Sequence, residues 1–213
     1  NGHLHDEVGL ASAGIVHYDY SVSPNWTVAD GTILTVAGQN TKVYTTIQAA
    51  CTAIGTAGVS ATLLINKGTY NEQVAMPSFT ASLHIIGEGA EVVRWAATAN
   101  SQTLFDGSTN ANMNYLSVSG IWFDLSTFTG ATGLNADASK GELKECRFTT
   151  GGSSTSTGAL TVAAHLRVSD CRFGDATHDS SGARLGEGLD TQSAVLQVAI
   201  DNCSFQTATG LTC

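Results

Sequence analysis

Leu116-Ser117-Val118-Ser119-Gly120-Ile121-Trp122-Phe123 decides the fold, because related stretches follow it three times along the chain. They are Leu143-Lys144-Glu145-Cys146-Arg147-Phe148, Leu166-Arg167-Val168-Ser169-Asp170-Cys171-Arg172-Phe173 and Val198-Ala199-Ile200-Asp201-Asn202-Cys203-Ser204-Phe205. The phenylalanines stand at 123, 148, 173 and 205, in steps of 25, 25 and 32. Two residues before them stand Ile121, Cys146, Cys171 and Cys203, and five before them Val118, Leu143, Val168 and Ile200. A repeat of this length built on short β-type runs cannot bury its own apolar face. Successive units therefore stack into a solenoid, with matching residues above one another, about 4.8 Å apart. The alternation within a run puts Leu166 and Val168 inside and Arg167 and Ser169 outside. A leucine-rich solenoid would carry a longer leucine consensus, which is absent.

The repeat also gives the cysteines a meaning. Of five, three (Cys146, Cys171, Cys203) share one column, where they read as small buried apolar residues or, alternatively, as disulfides between stacked units. No Cys-x-x-Cys pair supports a structural zinc site. No His recurs beside the column to activate a nucleophilic thiol.

Upstream of the repeats, Thr45 to Gly55 reads as a short helix. Its apolar residues Ile47, Ala50, Cys51 and Ile54 fall at i, i+3, i+4 and i+7, with a Thr cap at the start and Gly55 as the stop. Ala61-Thr62-Leu63-Leu64-Ile65-Asn66 and Leu83-His84-Ile85-Ile86-Gly87 read as β-runs. Residues 1–40 hold His3, His5, His17, Tyr18, Tyr20 and Trp26 without a sustained period. They read as an extended N-terminal arm or attachment segment, leaving 41–213 as one β-domain.

The 213 residues are enough for one sizeable core. Only 13% are charged, about half the usual ~25%, while Gly numbers 23; this balance suits turn-rich β-structure better than a helical bundle. Nine Lys and Arg stand against eighteen Asp and Glu, for a net charge of −9. No basic patch for nucleic acid or anionic membranes is visible. No apolar run approaches the ~20 residues of a membrane span. The start lacks the basic and apolar regions of a signal peptide; beginning with Asn1 and not Met, it is compatible with a mature or trimmed chain.

Residues 43 to 95 resemble the opening of the pectin-lyase-like superfamily, and most of all pectin methylesterases. The resemblance is carried by Tyr44-Thr45-Thr46-Ile47-Gln48-Ala49-Ala50, by Leu64-Ile65-Asn66-Lys67-Gly68-Thr69-Tyr70-Asn71-Glu72 and by Leu83-His84-Ile85-Ile86-Gly87-Glu88-Gly89. With the later repeats it covers about 170 residues. It implies a right-handed parallel β-helix with a short N-terminal capping helix. It does not extend to catalysis. The Gln-Asp-Thr triplet of pectin methylesterases does not follow Cys171-Arg172-Phe173-Gly174-Asp175-Ala176, Asp190-Thr191-Gln192 has another order, and no calcium-lyase constellation is found. Separately, Gly2-His3-Leu4-His5-Asp6 resembles Gly-His-x-His-Asp segments of bacteriophage head- and tail-fibre proteins. That resemblance implies a trimer with a β-helix behind an attachment region.

Three groups of residues are candidates for chemistry. The longer step from 173 to 205 holds Asp175, His178, Asp179, Arg184, Glu187 and Asp190. Carboxylates beside a His and an Arg suit acid–base work on a glycan; the plainer reading is a polar loop or subunit contact. Trp95 and Trp122, if exposed, would stack on sugar faces. His3 and His5 lie on one side of an extended strand and in a trimer would offer six imidazole nitrogens to a transition metal; otherwise they belong to a solvated arm. Asn25-Trp26-Thr27 and Asn202-Cys203-Ser204 match the glycosylation pattern. The expected function is a structural, host-surface-binding virion appendage: a homotrimeric head fibre, spike or tail fibre. Residues 1–40 would join other virion proteins, and a host glycan would be bound at the surface. The alternatives are a secreted carbohydrate-active enzyme, such as a pectin esterase or lyase or a polysaccharide depolymerase, and a bacterial surface adhesin.

Overall fold

The computed structural model describes residues 18–36, 39–108, 113–125, 128–150, 155–160, 163–174, 185–190 and 197–212. Strands β1 (Tyr18–Val22), β2 (Thr32–Val36) and β3 (Gln39–Tyr44) lead into helix α1 (Ile47–Ala57). The chain then visits three sheets in fixed rotation. The first round is β4 (Ala61–Ile65), β5 (Gly68–Tyr70) and β6 (Val74–Ala75), and the second β7 (Ser82–Gly87), β8 (Val93–Ala96) and β9 (Thr103–Gly107). Next come β10 (Met113–Ser119), β11 (Trp122–Asp124) and β12 (Thr132–Ala136), then β13 (Ala138–Lys144), β14 (Arg147–Thr149) and β15 (Thr157–Leu160). The last two rounds are β16 (His165–Ser169), β17 (Arg172–Phe173) and β18 (Leu185–Asp190), then β19 (Gln197–Asp201), β20 (Ser204–Phe205) and β21 (Thr207–Thr212).

The fold is thus almost entirely β, with long parallel sheets. The first sheet runs β19-β16-β13-β10-β7-β4-β1-β3-β2, the second β20-β17-β14-β11-β8-β5 and the third β21-β18-β15-β12-β9-β6. Every described pair is parallel except β2 with β3.

The repeats are in register, as the spacing predicts. In the first sheet Leu63, Ile85, Val118, Leu143, Val168 and Ile200 pair in succession. The second sheet gives Tyr70, Trp95, Phe123, Phe148, Phe173 and Phe205. From Phe123 to Phe205 the rings stack with centroids 4.8–4.9 Å apart and planes within 6°, the spacing of the strands that carry them. The third sheet contributes Val74, Phe105, Leu134, Ala159, Leu189 and Leu211. The core between the sheets is predominantly apolar, and burying each large side chain contributes about 1.5–3 kcal/mol.

Several expectations are corrected. Tyr18–Val22 is not part of an arm: β1 pairs between β3 and β4, and Tyr20 and Val22 are buried in the core. Strands β1 to β3 lie in the same sheet as β4, and α1 packs against β1, β3, β4 and β6. The helix does not stop at Gly55; Thr46 caps its start and Gly58, left-handed at φ 66°, its end. Ser169 is buried although it follows the inward Val168, and its carbonyl accepts from the Glu145 N–H. Ile200 occupies an inward column but is 39% exposed, because among the described strands β19 ends its sheet and pairs with β16 alone. Cys51, Cys146 and Cys171 are buried free thiols, and Cys203 is a half-buried one. Among the described residues no helix is long and apolar enough to cross a membrane.

Candidate functional site

The second sheet has a second face. Because Phe123, Phe148 and Phe173 point inward, their preceding neighbours point outward, and the register aligns Arg94, Trp122, Arg147 and Arg172 on successive strands. The Arg94 guanidinium lies 5.1 Å from the Trp122 ring centre and that of Arg147 4.8 Å from it. Trp122 stands between two cations, an arrangement favoured by the ring quadrupole. Its indole N–H donates to Thr149 Oγ1 at 2.7 Å, which fixes the ring plane. Arg94 Nε donates to Asp124 Oδ2 at 2.7 Å, and its Nη2 forms an ion pair with the same, buried carboxylate. Arg147 lies 3.9 Å from Glu91. Arg172 is exposed.

This geometry changes the reading of both tryptophans. Trp95 is fully buried: it stacks on Phe123 at 5.6 Å, meets Phe105 edge-on at 6.3 Å and donates its indole N–H to the Glu72 carbonyl at 2.8 Å. It sits in the phase of the phenylalanine column, not at the end of an exposed run, so it offers no face to a sugar. Trp122 does point outward, but the flanking guanidiniums take its two ring faces. What the column presents to solvent is cation and not open aromatic surface. The sequence reading missed this because Arg94 lies 28 residues before Trp122 and outside the four aligned stretches; only the register between β8 and β11 shows it.

A second polar group lies on the outer face of the first sheet. His84 and Tyr115 have ring centres 5.4 Å apart, and the Tyr115 hydroxyl donates to Glu142 Oε2 at 3.4 Å. Burial first and the Glu142 carboxylate second push the Tyr115 hydroxyl above its usual range. The sequence carries no local sign of this group either, since its members come from three different rounds.

The thiols of the cysteine column lie against backbone carbonyls. Cys171 Sγ donates to the Ser169 carbonyl at 3.2 Å, and Cys146 Sγ lies 3.4 Å from the Lys144 carbonyl. The hydrogen bond with Cys146, then burial, hold the Cys171 thiol well above the ordinary thiol range. Such thiols are poor nucleophiles.

Of the acid–base candidates, Asp190 lies at the end of β18, half-buried, in register with Leu160 and Thr212. Glu187 is in the same strand and pairs through its backbone with Thr157 and Thr209. Asp175, His178, Asp179 and Arg184 lie outside the described residues, as do His3 and His5. Among the described residues no group of three or more His, Cys, Asp or Glu is placed to hold a metal ion. No family model, curated protein or solved structure matches the chain.

Proposed function

We propose that this chain is a structural and surface-binding appendage of a virion, built as a right-handed parallel β-helix. One observation carries the reading: the three interior columns run in register through round after round, from β4 to β21. Such a stack gains stability from each neighbouring pair and is stiff along its axis, the property a spike or fibre needs. Right-handed winding follows from the strong preference of parallel crossover connections. The sparse charge and net −9 of the chain suit a scaffold that stays soluble without attracting nucleic acid. The Gly2-His3-Leu4-His5-Asp6 resemblance supports a virion location, a homotrimer and attachment through the segment before β1. In this reading the outer faces meet the host surface, where a glycan is the ligand.

Light scattering after size exclusion tests it. The appendage reading expects a mass near three times 22.0 kDa, reduced by a chelator if His3 and His5 hold a metal between subunits. A monomer overturns the trimeric appendage and favours a secreted carbohydrate-active enzyme. Assays on polysaccharides with Asp175, Asp179 and Asp190 replaced would then follow.

A further inference from the structure

Three thiols share one column, and the surface-binding reading uses none of them. Cys146, Cys171 and Cys203 stand one residue before Arg147, Arg172 and Ser204, which pair in succession on β14, β17 and β20. The backbone is stacked at the cysteines too: the Cys146 carbonyl accepts from the Arg172 N–H at 2.9 Å, and the Cys171 carbonyl from the Ser204 N–H at 3.0 Å. Strand neighbours in such a stack lie about 4.8 Å apart, inside the ~4.4–6.8 Å between Cα atoms over which a disulfide closes. Cys146 and Cys203 are two rounds apart, twice that spacing, and cannot be bridged without moving the backbone. The column therefore admits one disulfide, and Cys171 must be half of it. Access decides the other half. Cys146 and Cys171 are each 1% exposed, whereas Cys203 is half-buried, since among the described strands β20 ends its sheet and pairs with β17 alone. Cys203 Sγ also leans toward the preceding round: it lies 3.7 Å from the Val168 carbonyl oxygen and 3.2 Å from that of Asp201.

We propose that Cys203 and Cys171 are an oxidation site, closed by a low-molecular-weight disulfide such as oxidised glutathione into a reducible clasp between the last two rounds. The Cys203 thiolate attacks one sulfur of the oxidant and expels the first reduced thiol. The Cys171 thiolate then attacks the Cys203 sulfur and expels the second. Two protein thiols become one disulfide, the oxidant disulfide becomes two thiols, and the two protons pass to the leaving thiolates. Cys146 stays reduced, one round deeper, with its Sγ 3.6 Å from the Val118 carbonyl oxygen and 3.4 Å from that of Lys144. The hydrogen bond with Cys146 and then burial hold the Cys171 thiol up, and burial does the same to Cys203. Closure is therefore slow at neutral pH. Once closed, the bond restricts the unfolded chain at the round that has one described neighbour only. The clasp is the same whether the chain is a virion appendage or an enzyme.

Prolonged exposure of the folded chain to oxidised glutathione at about pH 8.5, the ordinary thiol value, tests it, read by mass spectrometry of unreduced tryptic peptides. Cleavage after Lys and Arg leaves Cys146 in peptide 145–147, Cys171 in 168–172 and Cys203 in 185–213. Cys213→Ser removes the other thiol from the last peptide and serves as the background. The expected product links 168–172 to 185–213, is undone by dithiothreitol and leaves Cys146 open to alkylation after unfolding. Adding Cys146→Ser should leave that link unchanged. Adding Cys171→Ser should stop the reaction with one glutathione on Cys203. Adding Cys203→Ser should leave Cys146 and Cys171 both reduced, and this arm stands even if Cys171→Ser fails to fold. The closed form should melt at least ~4 °C above the reduced one, the low end for a disulfide in a chain of this size. Several outcomes would each overturn the proposal: a lasting glutathione adduct on Cys203 while Cys171 is present, a link between 145–147 and 168–172, pairing as scrambled as in urea, full recovery of free thiols, or a melting temperature that does not rise.

Discussion

At the corner between the first and second sheets each of the last four rounds places one residue in the left-handed region: Gly120 at φ 66°, Glu145 at 53°, Asp170 at 54° and Asn202 at 49°. Asn and Asp tolerate this conformation, whereas Glu has no local hydrogen bond to compensate it. The corner is nevertheless held, because its backbone bonds the next round: Glu145 N–H donates to Ser169 and Asp170 N–H to Asp201. Replacing Glu145 by Gly should stabilise the fold by about 0.5–1 kcal/mol, the left-handed penalty less the extra freedom of an unfolded glycine. Its exposed ion pair with Lys144, 3.5 Å long, subtracts little. Gly120→Ala should do the opposite and destabilise, since the new Cβ would come within 2.6 Å of the Gly87 carbonyl oxygen. Urea midpoints of the two variants check both signs; a destabilised Glu145→Gly sinks the strain argument. Tyr70 carries a second prediction. Its buried hydroxyl donates to the carbonyls of Val22 at 3.0 Å and Asn66 at 2.7 Å. Burial first, then Glu72 and Glu88, push its titration upward, and burial with Glu72 pushes the Cys51 thiol up to about 12. In both cases the fold favours the protonated form. The contribution is therefore complete below the unfolded values, about 8.5 for Cys and 10 for Tyr, and is lost as pH rises through the higher folded ones. Stability should fall above about pH 9. Tyr70→Phe should cost about 1 kcal/mol at neutral pH and flatten the decline above pH ~10; an unchanged alkaline profile would show that Tyr70 does not set it.

At the scale of the element, α1 shows what local rules reach and what they miss. The spacing of Ile47, Ala50, Cys51 and Ile54 identifies the buried stripe correctly. The stop is missed because Gly55 reads as punctuation, whereas it is small to make room: a Cβ there would run into the Pro77 ring. The N-terminus is held by more than its own cap. Thr46 Oγ1 accepts from the Ala49 N–H at 3.2 Å, while the Glu72 carboxylate accepts from Ile47 N–H at 2.9 Å and Gln48 N–H at 3.0 Å. Those N–H groups have no partner within the helix, and a carboxylate there also meets the positive end of the dipole. The partner lies some 25 residues downstream, beyond any local pattern. Glu72→Ala should cost about 1–3 kcal/mol, more than the roughly 1 kcal/mol of Thr46→Ala, with Glu72→Gln intermediate. Chemical denaturation checks the ranking, and a loss under ~0.5 kcal/mol, within the range of neutral surface changes, would mean that the helix start is held by packing alone.

For the whole molecule, two of the three interior columns were largely legible and the third was not. The phenylalanine and aliphatic columns announce themselves because large apolar residues recur at nearly constant spacing. The third sheet repeats as well, pairing Thr132 with Thr157 and Leu134 with Ala159 and then Leu189. Its signature includes Gly133, Gly158 and Gly188, which carry little hydropathic signal. Their smallness is set by neighbours: a Cβ on Gly158 would come within 2.5 Å of the Gly188 carbonyl and 2.9 Å of the Phe173 ring. The arginine column was hidden for a related reason, since charged residues one strand apart are scattered by about a round in sequence and only register assembles them. If stacking of whole rounds holds the molecule together, the cost of an interior deletion must depend on position along the stack. Phe148 is fully buried between Phe123 and Phe173, at 4.8 and 4.9 Å, and its truncation leaves a cavity that rigid strands on both sides cannot close. Phe205 is half-buried with a described ring neighbour on one side only, Phe173 at 4.8 Å, so water can fill the gap. Phe148→Ala should cost about 3–5 kcal/mol and Phe205→Ala about half that. Equal losses at the two positions in guanidinium unfolding would mean that the rounds are stabilised one by one and not through their neighbours.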